Sequence, residues 1–92
     1  MNINLQYKGQ LSTECDYSNE TITIDCPVSV LDVLNIILEN KTTEFRKLVL
    51  NEDNNPTRSL LIIKDNLQVL DLRHTIVEED CQINLLPPIA GG

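Results

Sequence analysis

Apolar and polar residues alternate at the start of the chain: Ile3, Leu5 and Tyr7 are interleaved with Asn4, Gln6 and Lys8. A period of two predicts a half-buried strand, and Gly9 ends it. From Ser12 to Glu20 the chain is polar and reads as a loop. Ile22, Ile24 and Cys26 then alternate with Thr21, Thr23 and Asp25, which predicts a second strand. Pro27 stops it, because proline cannot donate to a ladder. Neighbours in sequence, the two strands are expected to form a hairpin.

The period then changes. Ser29 stands before Asp32 at the spacing of a capping box. Leu31, Leu34, Ile37 and Leu38 recur at helical spacing, with Asp32, Asn35 and Glu39 on the other side. This predicts a helix from about Val30 to Asn40. Thr42, Thr43 and Glu44 can cap a second, short helical stretch that turns Phe45, Leu48 and Val49 inward. The stretch NEDNNPTRS, from Asn51 to Ser59, has no large apolar residue and one proline, so it reads as a loop. Leu60 to Ile63 is a continuous apolar run, expected to be a central strand buried on both faces. Asp65 and Asn66 turn it, and Leu67, Val69 and Leu70 give a short edge strand. Glu78, Glu79 and Asp80 make a solvated turn before a last strand from Gln82 to Leu86.

Strands on both sides of one main helix predict an α+β fold, a mixed sheet packed on that helix. Ile3, Leu5, Ile22, Ile24, Ile62 and Ile83 are expected on the helix-facing side, with the alternate register open for the buried strand. Residues 1–86 would form this domain and residues 87–92 a flexible tail.

Composition narrows the function classes. With 92 residues, one domain is the default. Phe45, Tyr7 and Tyr17 are the only aromatics, so the core must be aliphatic. The net charge of −7 and scattered basic residues argue against nucleic acid, since phosphate binding needs clustered cations. The acidic balance suits a basic protein partner. No apolar run approaches the ~20 residues of a membrane span and no signal peptide is evident, so a cytoplasmic protein is expected. Cys15, Cys26 and Cys81 show no metal-ligand spacing and read as reduced thiols. His74 reads as a surface residue, and Lys8, Lys41, Lys47 and Lys64 as solvated lysines. No metal site and no catalytic side chain is expected.

The sequence closes on LLPPIAGG. Pro87 and Pro88 fix φ and favour an extended chain. Six such residues reach roughly 20 Å from the domain. The prolines stiffen the base, so less entropy is lost when the tail is clamped. Ile89 offers one apolar anchor. Ala90, Gly91 and Gly92 are slim enough for a narrow slot, and the tip is an unhindered α-carboxylate. Such a carboxylate can attack the α-phosphate of ATP to form an acyl-adenylate. Sulfide or a persulfide then gives a thiocarboxylate, and an amine gives an isopeptide. Neither step needs a catalytic side chain on this chain.

LLPPIAGG, the helix signal SVLDVLNIIL, FRKLVL and the opening strand resemble the MoaD branch of the MoaD/ThiS sulfur carriers. Members of that family have the ubiquitin-like β-grasp fold and end in PPVAGG or a close variant. The resemblance implies that Gly92 carries the adenylate and then the thiocarboxylate, that Gly91 keeps the approach narrow, and that Pro87, Pro88, Ile89 and Ala90 form the clamped tail. It implies two partners: an adenylyltransferase resembling ubiquitin-activating enzymes, which consumes the ATP, and the large catalytic subunit of molybdopterin synthase. This chain would be the non-catalytic small subunit, donating sulfur in molybdenum cofactor biosynthesis with no cofactor of its own. A ubiquitin-like modifier that forms isopeptides through Gly92, and a sulfur carrier for another pathway, are the alternatives. Two turns lack the family's glycines: IIKDNLQV and EEDC place Asn66 and Asp80 at the left-handed positions.

Overall fold

The computed structural model describes residues 1–15, 18–53, 55–57 and 60–87. β1 (Asn2–Tyr7) and β2 (Asn19–Thr23) form the expected antiparallel hairpin. The stretch between them is not all loop. Gln10–Cys15 form a short helix, α1, because Leu11 has a core site to fill and is fully buried. Leu11 and Cys15, four apart, are its only sequence signal. β2 ends at Thr23, short of Cys26. Ile24 N–H still reaches Met1 O at 3.0 Å.

β3 (Val28–Ser29) leads into α2 (Val30–Leu38), whose Ser29–Asp32 capping box is formed from both sides. α2 stops two residues before Asn40, and Arg46 accounts for the end. Its Nε and Nη2 donate to Leu38 O at 2.8 Å and Glu39 O at 3.2 Å, occupying carbonyls left open at a helix C-terminus. α3 (Thr43–Val49) is capped by Thr42, as read from the sequence, and buries Phe45 and Val49.

β4 (Leu61–Lys64), β5 (Leu67–Gln68), β6 (Ile76–Val77) and β7 (Cys81–Leu86) complete the chain. The main sheet has the order β2-β1-β7-β4-β5, and β3 and β6 form a separate two-stranded ribbon. β7 is the centre, parallel to β1 and antiparallel to β4. The run Leu60–Ile63 is therefore not a central strand buried on both faces. Helices cover one face of the sheet, so Ile62 is buried while Leu61 is 42 % exposed.

The core lies between that sheet and α2. Ile3, Leu5, Ile62 and Ile83 are buried there, and Ile22 and Ile24 pack half-buried at its edge. It is aliphatic except for Tyr7 and Phe45, whose rings meet edge to face at 5.2 Å.

Of the two glycine-free turns, β4–β5 has both central residues left-handed, Asp65 at φ 48° and Asn66 at φ 73°. Asp80 is not left-handed. Its carboxylate instead accepts the Asn2 N–H at 2.7 Å and pins the start of β1. A two-residue hairpin turn with φ > 0 at both positions prefers glycine at the second. Asn66→Gly should thus stabilise the fold by about 0.5 kcal/mol, seen as a rise of about 2–4 °C in a thermal melt.

Candidate functional site

The tail leaves from the middle of the sheet. Leu85 and Leu86, the last residues of β7, are held on both sides: Leu85 O accepts Lys8 N–H at 3.1 Å, and Leu86 pairs with Leu61 of β4. Pro87 follows, half-buried. It lies over Gly9, where a Cβ would stand 3.7 Å from Pro87 Cγ. Gly9 has φ +54°, a conformation that any side chain would strain; it turns the chain from β1 into α1 directly beneath the tail base. Pro88, Ile89, Ala90, Gly91 and Gly92 lie outside the described residues.

The sheet face away from the helices surrounds that exit. Asn2, Asn4 and Gln6 point there, with Thr21 and Thr23 on β2 and Gln82 and Asn84 on β7. The register places these in rows across the strands. Asn4 Nδ2 donates to Thr21 Oγ1 at 3.1 Å, Thr23 Oγ1 to Asn2 Oδ1 at 3.0 Å, and Gln82 Nε2 to Asn84 Oδ1 at 3.1 Å. Nearer the tail the face turns apolar with Leu86, Leu61 and Ile63. In a chain with 21 charged residues among 92, the outward strand positions of β2, β1, β7 and β4 carry none. Depletion of charge with apolar residues at the centre marks surfaces that bury against another protein.

Other candidates resolve into structure. A 330 Å³ groove between α2 and α3 is lined by Asn35, Leu38, Glu39, Arg46, Leu50 and Asn51, but Arg46 is there to cap α2. His74 is exposed, its Nδ1 2.8 Å from Asp71 Oδ2. Asp71 also accepts the backbone N–H groups of Arg73 and His74. These bonds, that of the His74 side chain foremost, hold the Asp71 carboxyl below its ordinary range. The turn they close places Thr75 O and Leu72 O on the N–H groups of Val30 and Leu31, so it caps α2. Among the described residues, no group of three or more His, Cys, Asp or Glu is placed to hold a metal ion.

Cys26 is exposed and Cys15 and Cys81 are half-buried. Burial, and then the Asp65 carboxylate, push the Cys81 thiol up, which lowers its reactivity. Cys81 lies toward the start of β1, away from the tail base, and the Cys15 thiol at the far end of α1 donates to Leu11 O at 3.2 Å. A Cys15, Cys26 and Cys81 triple Ser variant should therefore still be activated at the unaltered rate. Loss of activation in a folded triple variant contradicts this.

Of the four lysines read as solvated, Lys8 and Lys47 are exposed and Lys64 is half-buried, but Lys41 is largely covered. Its side chain keeps 6 % of its exposure and pairs with Glu20. No helix of the described residues is long and apolar enough to cross a membrane.

A central parallel β1–β7 pair, an N-terminal hairpin and one main helix across a mixed sheet define the architecture, and solved structures match it over the whole chain. The fold is the ubiquitin-like β-grasp. SAMP1 from Haloferax volcanii matches this β-grasp with a TM-score of 0.84 at 14 % identity, covering 100 % of both chains. A putative molybdopterin converting factor, subunit 1, from Pyrococcus furiosus matches with a TM-score of 0.74 at 15 % identity, over 97 % of this chain and 99 % of that one. A chain of the Amycolatopsis orientalis BexX/CysO complex matches with a TM-score of 0.71 at 17 % identity, over 98 % and 99 %. No protein-family model and no curated protein matches the sequence significantly. At these identities the likeness establishes the β-grasp fold alone.

Proposed function

We propose that this chain is a sulfur carrier whose Gly92 carboxylate is adenylated by a partner and converted to a thiocarboxylate, and that it serves as the small subunit of a molybdopterin synthase. The observation that carries the reading is the PPIAGG tail, which continues from the central strand of a β-grasp sheet beside a charge-free face.

The chemistry runs through the tip. A Gly92 carboxylate oxygen attacks the α-phosphorus of ATP, pyrophosphate leaves, and an acyl-adenylate forms. Hydrosulfide then attacks the carbonyl carbon, the bond to AMP breaks, a proton is lost, and the thiocarboxylate remains. The domain supplies docking and aim. Leu61, Ile63 and Leu86 give the partner an apolar contact next to the tail, while Pro87 over Gly9 sets its starting point. A net charge of −7 favours a basic partner and an association that slows as salt rises.

The Pyrococcus neighbour's name as a molybdopterin converting factor supports the pterin assignment. A modifier reading, in which Gly92 forms isopeptides with lysines, has support of the same kind in the small archaeal modifier protein 1 of Haloferax volcanii. The product at Gly92 separates the two.

The test is ATP–pyrophosphate exchange with the source organism's ubiquitin-activating-enzyme-like adenylyltransferase. Exchange should require this chain and saturate with it; absence of stimulation by the folded chain contradicts the reading. In the same assay, Leu61→Asp should raise the KM for the chain about tenfold, because an unpaired carboxylate would be buried in the contact. An unchanged KM would place the docking surface elsewhere.

A further inference from the structure

At the tail end of the sheet, on its covered face, lies a charged cluster that is largely withdrawn from water, its Glu20 side chain 26 % exposed. Lys41, just after α2, points its Nζ to within 2.9 Å of Glu20 Oε1 on β2. The same ammonium sits 5.9 Å from the centre of the Tyr7 ring and 5.8 Å from that of Phe45. The Tyr7 hydroxyl donates to the carboxylate oxygen that Lys41 pairs with. A desolvated ammonium is tolerable when a carboxylate and aromatic faces surround it. Yet an apolar side chain of similar volume would hold this loop without the electrostatic cost. What the charged cluster adds is direction, since hydrogen bonds fix the orientation of Tyr7 as packing alone does not.

Tyr7 is the last residue of β1 and pairs with Leu85. Its N–H donates to Ser18 O at 2.7 Å, and that of the next residue, Lys8, donates to Leu85 O at 3.1 Å. Gly9 then lies against Pro87. From the Lys41 ammonium to the tail base the path is continuous, through one carboxylate, one phenol and two backbone residues.

We infer that the Tyr7–Glu20–Lys41 cluster positions the tail: it fixes the end of β1 on which β7 hands over to Pro87, and so sets the direction in which the Gly92 carboxylate is presented. The three side chains are positioning residues and touch no reacting atom. The inference rests on the reading of Gly92 as the reactive end.

The test is the double variant Lys41→Met with Glu20→Leu, which removes both charges together, leaves neither one buried alone, and takes away the acceptor of the Tyr7 hydroxyl. Amide hydrogen exchange at Lys8 reports the bond to Leu85 directly. Protection there should fall about tenfold while the melting temperature stays within a few degrees, as for a local opening. The kcat for ATP–pyrophosphate exchange should fall about 10- to 100-fold, the usual consequence of a misplaced reacting group. KM should hold, because the docking face is untouched. Lys41→Arg alone, which keeps the pair and the ring contact, should leave both readouts unchanged. Where the double variant does not fold, Tyr7→Phe decides, since it removes one hydroxyl and leaves the core ring in place. A folded variant with unchanged Lys8 protection and unchanged kcat overturns the inference. If the unaltered chain gives no exchange at all, the sulfur-carrier reading falls, and Lys8 protection still decides whether the cluster holds the tail base.

Discussion

Deleting Gly92, or adding one residue after it, should abolish adenylation while leaving the thermal melt unchanged. The reacting carboxylate must sit about 3–3.5 Å from its partner atom, and small errors are costly in rate. An extended residue spans roughly 3.3 Å, so a deletion withdraws the carboxylate by a whole reaction distance. An addition pushes it past the nucleotide and leaves an amide in its place. The loss should be at least about 100-fold in kcat/KM. Gly91→Val should come close to it, because a β-branched side chain restricts φ and χ1 and widens a segment read as passing a narrow slot. The fold is not expected to respond, since the buried core ends with Leu85 on β7. Pyrophosphate exchange beside a melt of each variant makes the check. Near-normal exchange from the truncated or extended chain would show that the tip is not the reacting group.

Phe45→Ala should cost about 3–5 kcal/mol of stability, as for other large-to-small aromatic changes in cores. Phe45 is fully buried, packs edge-on against Tyr7 and forms part of the seat for the Lys41 ammonium. A 92-residue chain has one modest core and little stability to spare. The melting temperature should drop by at least about 12 °C. A drop of only a few degrees would mean that the site collapses around the cavity or that the ring is not packed as described.

The two predictions draw on different kinds of legibility. The tail reading needs only local chemistry, since prolines stiffen and glycines slim, and beyond Pro87 it lies outside the described residues. The hairpin, α2 with its Ser29–Asp32 box, and α3 under Thr42 were legible in the sequence, since period and caps are set by near neighbours. What failed depended on residues far apart. Lys41 stands among polar residues, and nothing in NKTT tells that Glu20, Tyr7 and Phe45 converge on it. β3 and β6 hold two residues each, too few for a period. α1 rests on Leu11 finding a vacant place in the core. The run Leu60–Ile63 misled most usefully. A continuous apolar strand means either burial on both faces or one buried face and one that a partner covers, and composition does not separate the two. Here Leu61 and Ile63 turn outward beside the tail, so the run that looked like core became part of the proposed docking surface. The contact of Pro87 with Gly9 had no sequence signal, because it depends on the parallel pairing of β1 with β7.

The central claim is that the Gly92 carboxylate exchanges an oxygen for sulfur. Tandem mass spectrometry of the full-length chain, after incubation with ATP, a sulfide source and the source organism's adenylyltransferase, tests it most directly. The predicted result is one oxygen replaced by one sulfur, located on the C-terminal glycine, with the same treatment silent on the chain lacking Gly92. Sulfur found on Cys15, Cys26 or Cys81 instead, or an unmodified Gly92 in a reaction that consumes ATP, would contradict it.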